Sequence, residues 1–336
     1  MSDLVSRALL EQRWPLPEPG GSKHSRGDVV VVGGARKTPG AAILAGIAAL
    51  RTGAGRITLC VAESVASATA VALPECGVVP LAETRTGSVS GRGLDVLARE
   101  LSSADVALIG PGLDDPRATA ATLRALAPLL DDVPAVHLDA FPLGVLPGQR
   151  RLAWRLAGRL LLTANSEEAS RLLGEEVDDV ERAALAVAER YGAVVSLFNT
   201  IASPDGDAVR IEGEHPGLAT AGSGDVLAGA TAGLRGRGVD PMGAAAWGAF
   251  LHTEADTRLS ARIGPAGYLA SEIPGGVPAR AGGLSGAGAL RTAVVPRRAG
   301  GASAPDRAGG VSGGDHRDRG VDLSARRRRP RTPLPA

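Results

Sequence analysis

Short apolar runs alternate with longer small-residue or amphipathic segments along most of the chain. Residues 28–32 form a β-branched run that ends in Gly33-Gly34. Behind Pro39-Gly40, residues 41–50 are apolar and small, as in a helix packed closely on a sheet. The pair then repeats. Residues 56–61 read as a strand and 64–73 as a helix stopped by Pro74. Residues 106–109 are a strand closing on Gly110-Pro111-Gly112, and 118–130 are helical. A strand over 135–138 ends at Asp139. Another over 160–162 leads into a polar turn, 163–166, and a helix, 167–173. A helix over 181–191 precedes a strand over 193–197. Residues 201–211 read as a hairpin around Pro204-Asp205-Gly206, and helices are expected over 226–234 and 241–259. Residues 1–23 are expected to lie over the surface, with Pro15, Pro17 and Pro19 breaking regular structure.

Strand runs without clear polar alternation, separated by helices, predict an α/β fold with a mostly parallel central sheet and helices on both faces. No fixed-period repeat interrupts the pattern. In such sheets ligands sit beyond the carboxyl ends of the strands. The loops at Gly33-Gly34, Gly110–Gly112, Asp139, Asn165 and Gly222–Asp225 follow strands or open helices, so one shared cleft is expected.

Composition sharpens this picture in three ways. With 336 residues, 44% hydrophobic and only 2% aromatic, the chain can bury a sizeable core, which must be built from Ala, Val and Leu. The net charge of +1 hides an asymmetry: from Ala281 onward eleven Arg and four Asp give +7, which leaves −6 for the rest. A basic surface for nucleic acid is therefore not expected on the folded part. From residue 275 the chain is rich in Gly, Ala, Pro and Arg and ends near Arg326-Arg327-Arg328-Arg329. Such a segment cannot bury enough apolar surface to order itself. The expected organisation is a domain over 1–274 and a solvated, disordered tail over 275–336.

Cys60 and Cys76 fit neither a disulfide framework nor a metal cluster. The N-terminus, with Asp3, Glu11 and Arg13, lacks the apolar core of a signal peptide. No uncharged apolar run reaches the roughly 18 residues of a membrane helix. A cytoplasmic protein with no membrane partner is expected.

The strongest chemical signal is Ala221-Gly222-Ser223-Gly224-Asp225, leading into an apolar helix. First-turn N–H groups lack intrahelical partners, and with the helix dipole they attract an anion such as phosphate. Asp225 is the odd member, since a carboxylate repels phosphate. It makes sense as a base facing a substrate hydroxyl, with the amides around Gly222, Ser223 and Gly224 holding the phosphoryl group. The competing reading is a helix cap and a tight glycine turn.

An ordered set of segments carries a resemblance. These are Gly33-Gly34 with Thr38-Pro39-Gly40-Ala41-Ala42, Ala49-Leu50-Arg51-Thr52-Gly53-Ala54-Gly55, Pro74-Glu75, Gly110-Pro111-Gly112-Leu113, Leu138-Asp139-Ala140, Asn165 with Glu168, and the Gly222–Asp225 element. Together, over residues 21–273, they resemble the ADP-dependent (S)-NAD(P)H-hydrate dehydratases of the ribokinase-like superfamily. The resemblance implies a three-layer sandwich and a repair reaction on NADH or NADPH whose nicotinamide ring has been hydrated. The ring hydroxyl is phosphorylated by ADP and then lost as phosphate, with Mg²⁺ neutralising the nucleotide. Asp225 is the implied base. Ala41, Ala42, Gly112 and Asn165, with Asp225, are implied at the substrate. Gly222, Ser223, Gly224 and Glu168 are implied at the nucleotide and its magnesium. Close packing for the Ala pair, a turn for Gly112 and a helix cap for Asn165 or Glu168 are the bland alternatives. Asp139 reads as a cleft acid or a cap, Lys23 and Arg26 as phosphate contacts or solvated charges, and His252 as a core or interface residue. A homo-oligomer is expected. So is a functional link to a separate NAD(P)H-hydrate epimerase, since only about 27 residues precede the first expected strand.

Three departures stand out. Ser196-Leu197-Phe198-Asn199-Thr200-Ile201-Ala202 is about three residues short where family members usually carry a Lys-Gly pair, and the chain has two lysines, Lys23 and Lys37. Phe141 stands where an acid is often found. The expected final helix gives way to the Arg/Gly tail, as an altered reading frame would produce. An ATP-dependent small-alcohol kinase, or a nucleotide-binding homologue with impaired catalysis, are the alternative functions.

Overall fold

The alternation of strands and helices holds in the structure, a computed structural model that describes residues 3–18, 20–212 and 216–277. β1 (Asp3–Val5) and α1 (Arg7–Arg13) open the chain. β2 (Asp28–Val32), α2 (Pro39–Arg51), β3 (Arg56–Ala62), α3 (Glu63–Ala72) and β4 (Gly77–Leu81) follow. Next come α4 (Ala98–Ser102), β5 (Val106–Ile109), α5 (Pro116–Leu126), β6 (Ala135–Asp139), α6 (Phe141–Val145) and α7 (Arg150–Leu156). β7 (Leu160–Ala164), α8 (Ser166–Leu173), α9 (Val180–Tyr191) and β8 (Ala193–Leu197) precede the hairpin of β9 (Thr200–Ala202) and β10 (Ala208–Ile211). α10 (Ser223–Gly236), α11 (Pro241–Arg262) and α12 (Ile273–Gly276) complete the described fold.

The strands form one sheet in the order β1-β10-β9-β8-β7-β6-β5-β2-β3-β4. From β8 to β4 every neighbour is parallel, and β9 pairs antiparallel with both β8 and β10. The chain moves outward from β2 to β4 and then returns to the other side of β2 with β5, so a topological switch point lies between β2 and β5.

Period-two alternation assigns the faces. Val30 and Val32 of β2 join the core under α4, α5, α8 and α9, whereas Val29 and Val31 join the core under α2. α10 and α11 cover the remainder of that second face. This is the expected three-layer α/β arrangement with helices on both faces.

The N-terminal expectation is corrected. Residues 3–13 are regular, not irregular surface chain: β1 adds in parallel to the hairpin edge at β10, and Ser6 caps α1 by accepting from the Leu9 N–H at 3.3 Å. Leu10 is fully buried. The proline stretch is pinned as well, since the Trp247 indole donates to the Trp14 carbonyl at 2.7 Å and Arg237 to that of Pro17 at 2.6 Å. A three-residue strand is too short for periodicity to reveal. At the other end the described fold runs to Val277, which is buried. Of the expected tail over 275–336, residues 275–277 belong to the described fold, and 278–336 lie outside the described residues.

One helix pair is packed closer than side chains permit. A Cβ on Gly229 of α10 would fall 2.1 Å from the Ala45 carbonyl oxygen of α2, and one on Gly233 2.5 Å from that of Ala49. The Thr52 hydroxyl bridges the pair by donating to the Ala230 carbonyl at 3.1 Å. Gly229→Ala is therefore expected to destabilise the protein by about 1–3 kcal/mol through overpacking. Gly144→Ala, in α6 with open space around it, is expected to stay within about 1 kcal/mol of wild type. Urea unfolding of the two variants checks this.

Candidate active site

The floor of the site is set by strand alternation. Val136 and Leu138, Leu160, Leu162 and Ala164, and Val195 and Leu197 all face the α5/α8/α9 core. Their neighbours His137 and Asp139 on β6, Thr163 on β7 and Ser196 on β8 therefore share the opposite face, beneath α10 and α11. All four are buried. His137 Nε2 bonds the Thr163 hydroxyl, and burial pushes the imidazole down to about 3, so it stays neutral. Among the described residues, His137 Nδ1 and Ser196 Oγ have no protein partner.

At the carboxyl ends of β6, β7 and β8 this polar row opens into a cavity of ≈ 770 Å³, a size suited to a nucleotide-scale ligand. Its wall holds Asp139, Thr163, Asn165, Glu168, the Phe198-Asn199 turn, Gly222, Ser223, Gly224, Asp225, His252 and Thr253. Six predicted residues thus meet in one place: Asn165, Glu168, Gly222, Ser223, Gly224 and Asp225. Among the described residues of the wall there are three carboxylates and neither Lys nor Arg.

The α10 end is built for close approach. Gly222 takes φ 93, and a Cβ there would strike Leu44 at 2.7 Å, so glycine is required. A Cβ on Gly224 would meet nothing within 4 Å. The Ser223 N–H already donates to the Thr220 carbonyl at 3.1 Å. The next amides, of Gly224 and Asp225, occupy first-turn positions with no intrahelical acceptor. Asp225 stands beside them, and burial pushes its carboxyl up to about 6. Asp139 is pushed well above the usual carboxylate range, first by burial and then by the charges of Asp225 and Glu168. Burial also raises Glu168, against the hydrogen bond it accepts from the Asn165 N–H.

Asn165 and Glu168 carry both readings at once. The Asn165 Oδ1 accepts from the Glu168 N–H at 2.9 Å and Glu168 Oε2 from the Asn165 N–H at 3.0 Å, a capping box for α8. The Asn165 amide NH₂ takes no part in that cap and remains a donor for the cavity. Asp139 is no cap: α6 starts from Ala140 without a side-chain bond. Ala140 itself has φ 56, backbone strain at the cavity wall. Phe198, also with φ 52, forms a two-residue turn with Asn199 where the Lys-Gly pair was expected.

Ala41, Ala42 and Gly112 gather elsewhere, where the loops after β2 and β5 meet at the switch point. The Ala35 N–H donates to the Gly112 carbonyl at 2.9 Å and the Thr38 hydroxyl at 2.8 Å. A Cβ on Gly112 would lie 2.3 Å from the Thr38 carbonyl oxygen and 3.1 Å from the Ala41 Cβ. Ala42 is fully buried, and Ala41 is the half-exposed member of the pair. Lys23 and Arg26 precede β2, at the amino ends of the strands, and line no part of the cavity.

His252 is the residue that sequence reasoning read as a core or interface residue. It is buried, yet it forms part of the cavity wall, and its Nε2 lies 3.0 Å from the Ser223 hydroxyl. Its setting in an Ala- and Leu-rich helix hid that role. A second cavity, ≈ 670 Å³, lies at the amino ends of β7 and β8 around the exposed Trp154, and it gathers none of the predicted nucleotide or catalytic residues. No helix among the described residues is long and apolar enough to cross a membrane.

Comparison with known proteins follows the same lines. A family model described as NAD(P)H-hydrate dehydratase matches residues 29–277. The ADP-dependent (S)-NAD(P)H-hydrate dehydratase of Xanthomonas campestris is 42% identical over 82% of this chain and 94% of its own. Other relatives are bifunctional NAD(P)H-hydrate repair enzymes, of whose length the chain spans about half. Among solved structures, a ribokinase-like superfamily protein from Enterococcus faecalis superposes with a TM-score of 0.69 and 24% identity, over 82% of this chain and 94% of its own. The ADP/ATP-dependent NAD(P)H-hydrate dehydratase of Bacillus subtilis, co-crystallised with ATP/Mg²⁺, does so with 0.64 and 23%, over 82% and 96%. The fold is thus ribokinase-like.

The raised pKa of Asp225 has a stability consequence. An acid whose pKa is about 6 folded and near 3.8 unfolded binds more protons in the native state, so stability falls as pH rises between those values. Asp225→Asn is expected to match wild type below about pH 4 and to be more stable above pH 6, by on the order of 2 kcal/mol. Thermal or urea unfolding across pH 4–8 measures the difference.

Proposed function

The chain belongs to the NAD(P)H-hydrate dehydratase family, and on that premise we propose that it returns the (6S) hydrate of NADH or NADPH to the reduced nucleotide. ADP is the phosphoryl donor, and AMP and phosphate are released. The observation that carries this reading is Asp225: a half-buried carboxylate in the first turn of α10, beside amides without intrahelical acceptors, in a cavity of nucleotide size.

The chemistry follows from what each group can do. Hydroxide is a poor leaving group and phosphate a good one. Asp225, ionised above about pH 6, takes the proton of the ring hydroxyl as that oxygen attacks the terminal phosphorus of ADP and the bond to AMP breaks. The Gly224 amide and the positive end of α10 face the charge that develops on the transferred group. The ring nitrogen lone pair then expels phosphate, and loss of the adjacent ring proton restores the double bond. Asp139, pushed up by burial and by its acidic neighbours, stands in the same wall as Asp225.

Mg²⁺ suits this donor set. The wall supplies carboxylate oxygens, and among the described residues no group of three or more His, Cys, Asp or Glu is placed to hold a metal by itself. An ion that draws most of its ligands from phosphates and water fits such a site. Glu168 and Asp139 would hold it, and it would supply neutralisation of the phosphate charge. Ala41 and Gly112, at the switch point, and the Asn165 amide belong to the nicotinamide side of the proposal, with Ala42 supporting from beneath. A separate NAD(P)H-hydrate epimerase as functional partner, a cytoplasmic setting and a homo-oligomer complete it.

One observation favours a second reading, a homologue with weakened nucleotide binding: the Phe198-Asn199 turn supplies no cation, and neither does the rest of the described wall. The small-alcohol kinase is not favoured, because the relatives are dehydratases.

Incubation with hydrated NADH and either ADP or ATP, followed by absorbance at the reduced-nicotinamide band, tests the reading. Recovery with ADP is expected, with kcat/KM rising through about pH 6 to a plateau. Asp225→Asn is expected to lose about 10²–10⁴-fold in kcat. Undiminished turnover in that variant removes Asp225 from the mechanism, and ADP binding without turnover in wild type selects the impaired homologue.

A further inference from the structure

We infer that His252 is a positioning residue for the phosphoryl group, acting through the hydroxyl of Ser223. The inference rests on the proposed ADP-dependent function, in that the anion on α10 is taken to be a phosphate of the nucleotide.

Ser223 is the first residue of α10, and its side chain is buried. Its hydroxyl has one proton to give and two lone pairs. Its N–H is already committed to the Thr220 carbonyl, so the hydroxyl is what this residue can offer an anion. His252 Nε2, on the neighbouring helix α11, lies 3.0 Å from that oxygen. Two arrangements fit this distance. With Nε2 as acceptor, the hydroxyl proton is spent on the ring and oxygen lone pairs are left for the ligand, which repels phosphate. With Nε2–H as donor, the ring occupies a lone pair and the hydroxyl proton is free to point at a phosphoryl oxygen.

An anion on the α10 end therefore selects the Nε2–H form, and His252 fixes which way Ser223 points. The arrangement matters here because Asp139, Glu168 and Asp225 share the cavity, while no Lys or Arg among the described residues lines it. Each hydrogen-bond donor aimed at the phosphate then carries a larger part of the binding than in a site with cationic side chains. The core-or-interface reading of His252 missed this because the partner lies 29 residues away, on another helix.

A double-mutant cycle tests the pair. ADP dissociation constants by calorimetry, and KM and kcat in the repair assay, are measured for wild type, His252→Ala, Ser223→Ala and the double variant, with circular dichroism as the folding check. Each single variant is expected to weaken ADP binding about tenfold or more, as loss of a hydrogen bond to a charged group does. The double variant is expected to be no weaker than either single one, because both remove the same contact. KM for ADP rises more than kcat falls, and His252→Gln, whose amide can donate to the hydroxyl, recovers affinity to within about threefold. Should His252→Ala not fold, His252→Asn, too short to reach the hydroxyl, closes the same cycle. Additive losses, unchanged ADP affinity in the His252 variant, or no ADP binding by wild type would overturn the inference. Coupled losses in ADP binding, with no repair activity in wild type, would uphold His252 and sink the dehydratase reading instead.

Discussion

The contact on which the site depends is the backbone-to-backbone approach of α2 and α10. Gly229 and Gly233 let α10 lie directly on the carbonyls of Ala45 and Ala49, and the Thr52 hydroxyl ties the two helices together. That approach fixes α10 in depth and rotation over the sheet. Its first turn then falls beyond the carboxyl ends of β6 and β7, between α2 on one side and α11 on the other. Gly222, wedged against Leu44 of α2, is the last step of the same constraint. A bulkier residue along this seam moves the first turn of α10 relative to Asp139 and Glu168 across the cavity.

Electrostatics make the same region costly. Three carboxylates share a partly desolvated cavity, and burial raises all three. Strain sits next to them: Ala140, directly after Asp139, and Phe198, in the hairpin turn, hold left-handed backbone angles as non-glycine residues. The buried core of Ala, Val and Leu on both sheet faces offsets these costs. A carboxyl whose pKa lies near neutrality is a better-matched acceptor for a hydroxyl proton than an ordinary carboxylate.

Much of the layout was legible in the sequence for a physical reason. Buried parallel strands read as mostly apolar runs, and β2, β3, β5, β6, β7 and β8 all do. The Gly222–Asp225 element singled out the start of α10, which lines the cavity, because a carboxylate among glycines at a helix start is chemically odd. What escaped were β1, too short for a period to register, β4, a part-exposed edge strand that carries Gly77 and Pro80, and relationships that depend on which face a residue takes. Counting alternate positions along β6, β7 and β8 would have placed His137, Asp139, Thr163 and Ser196 together. No local pattern could have paired His252 with Ser223, since the pairing depends on how α11 crosses α10. Ala41, Ala42 and Gly112, read as substrate contacts with close packing or a turn as the alternatives, lie at the β2/β5 switch point and outside the cavity beneath α10.

The account stands on a phosphate held by the first turn of α10 beside Asp225. A crystal structure of the complex with ADP and Mg²⁺ examines this directly. The account predicts the terminal phosphate within about 3 Å of the Gly224 amide nitrogen, in contact with the Ser223 hydroxyl and facing the Asp225 carboxylate across the space left for the substrate hydroxyl. Nucleotide bound instead at the Trp154 cavity, or with its phosphates turned away from α10, would contradict it.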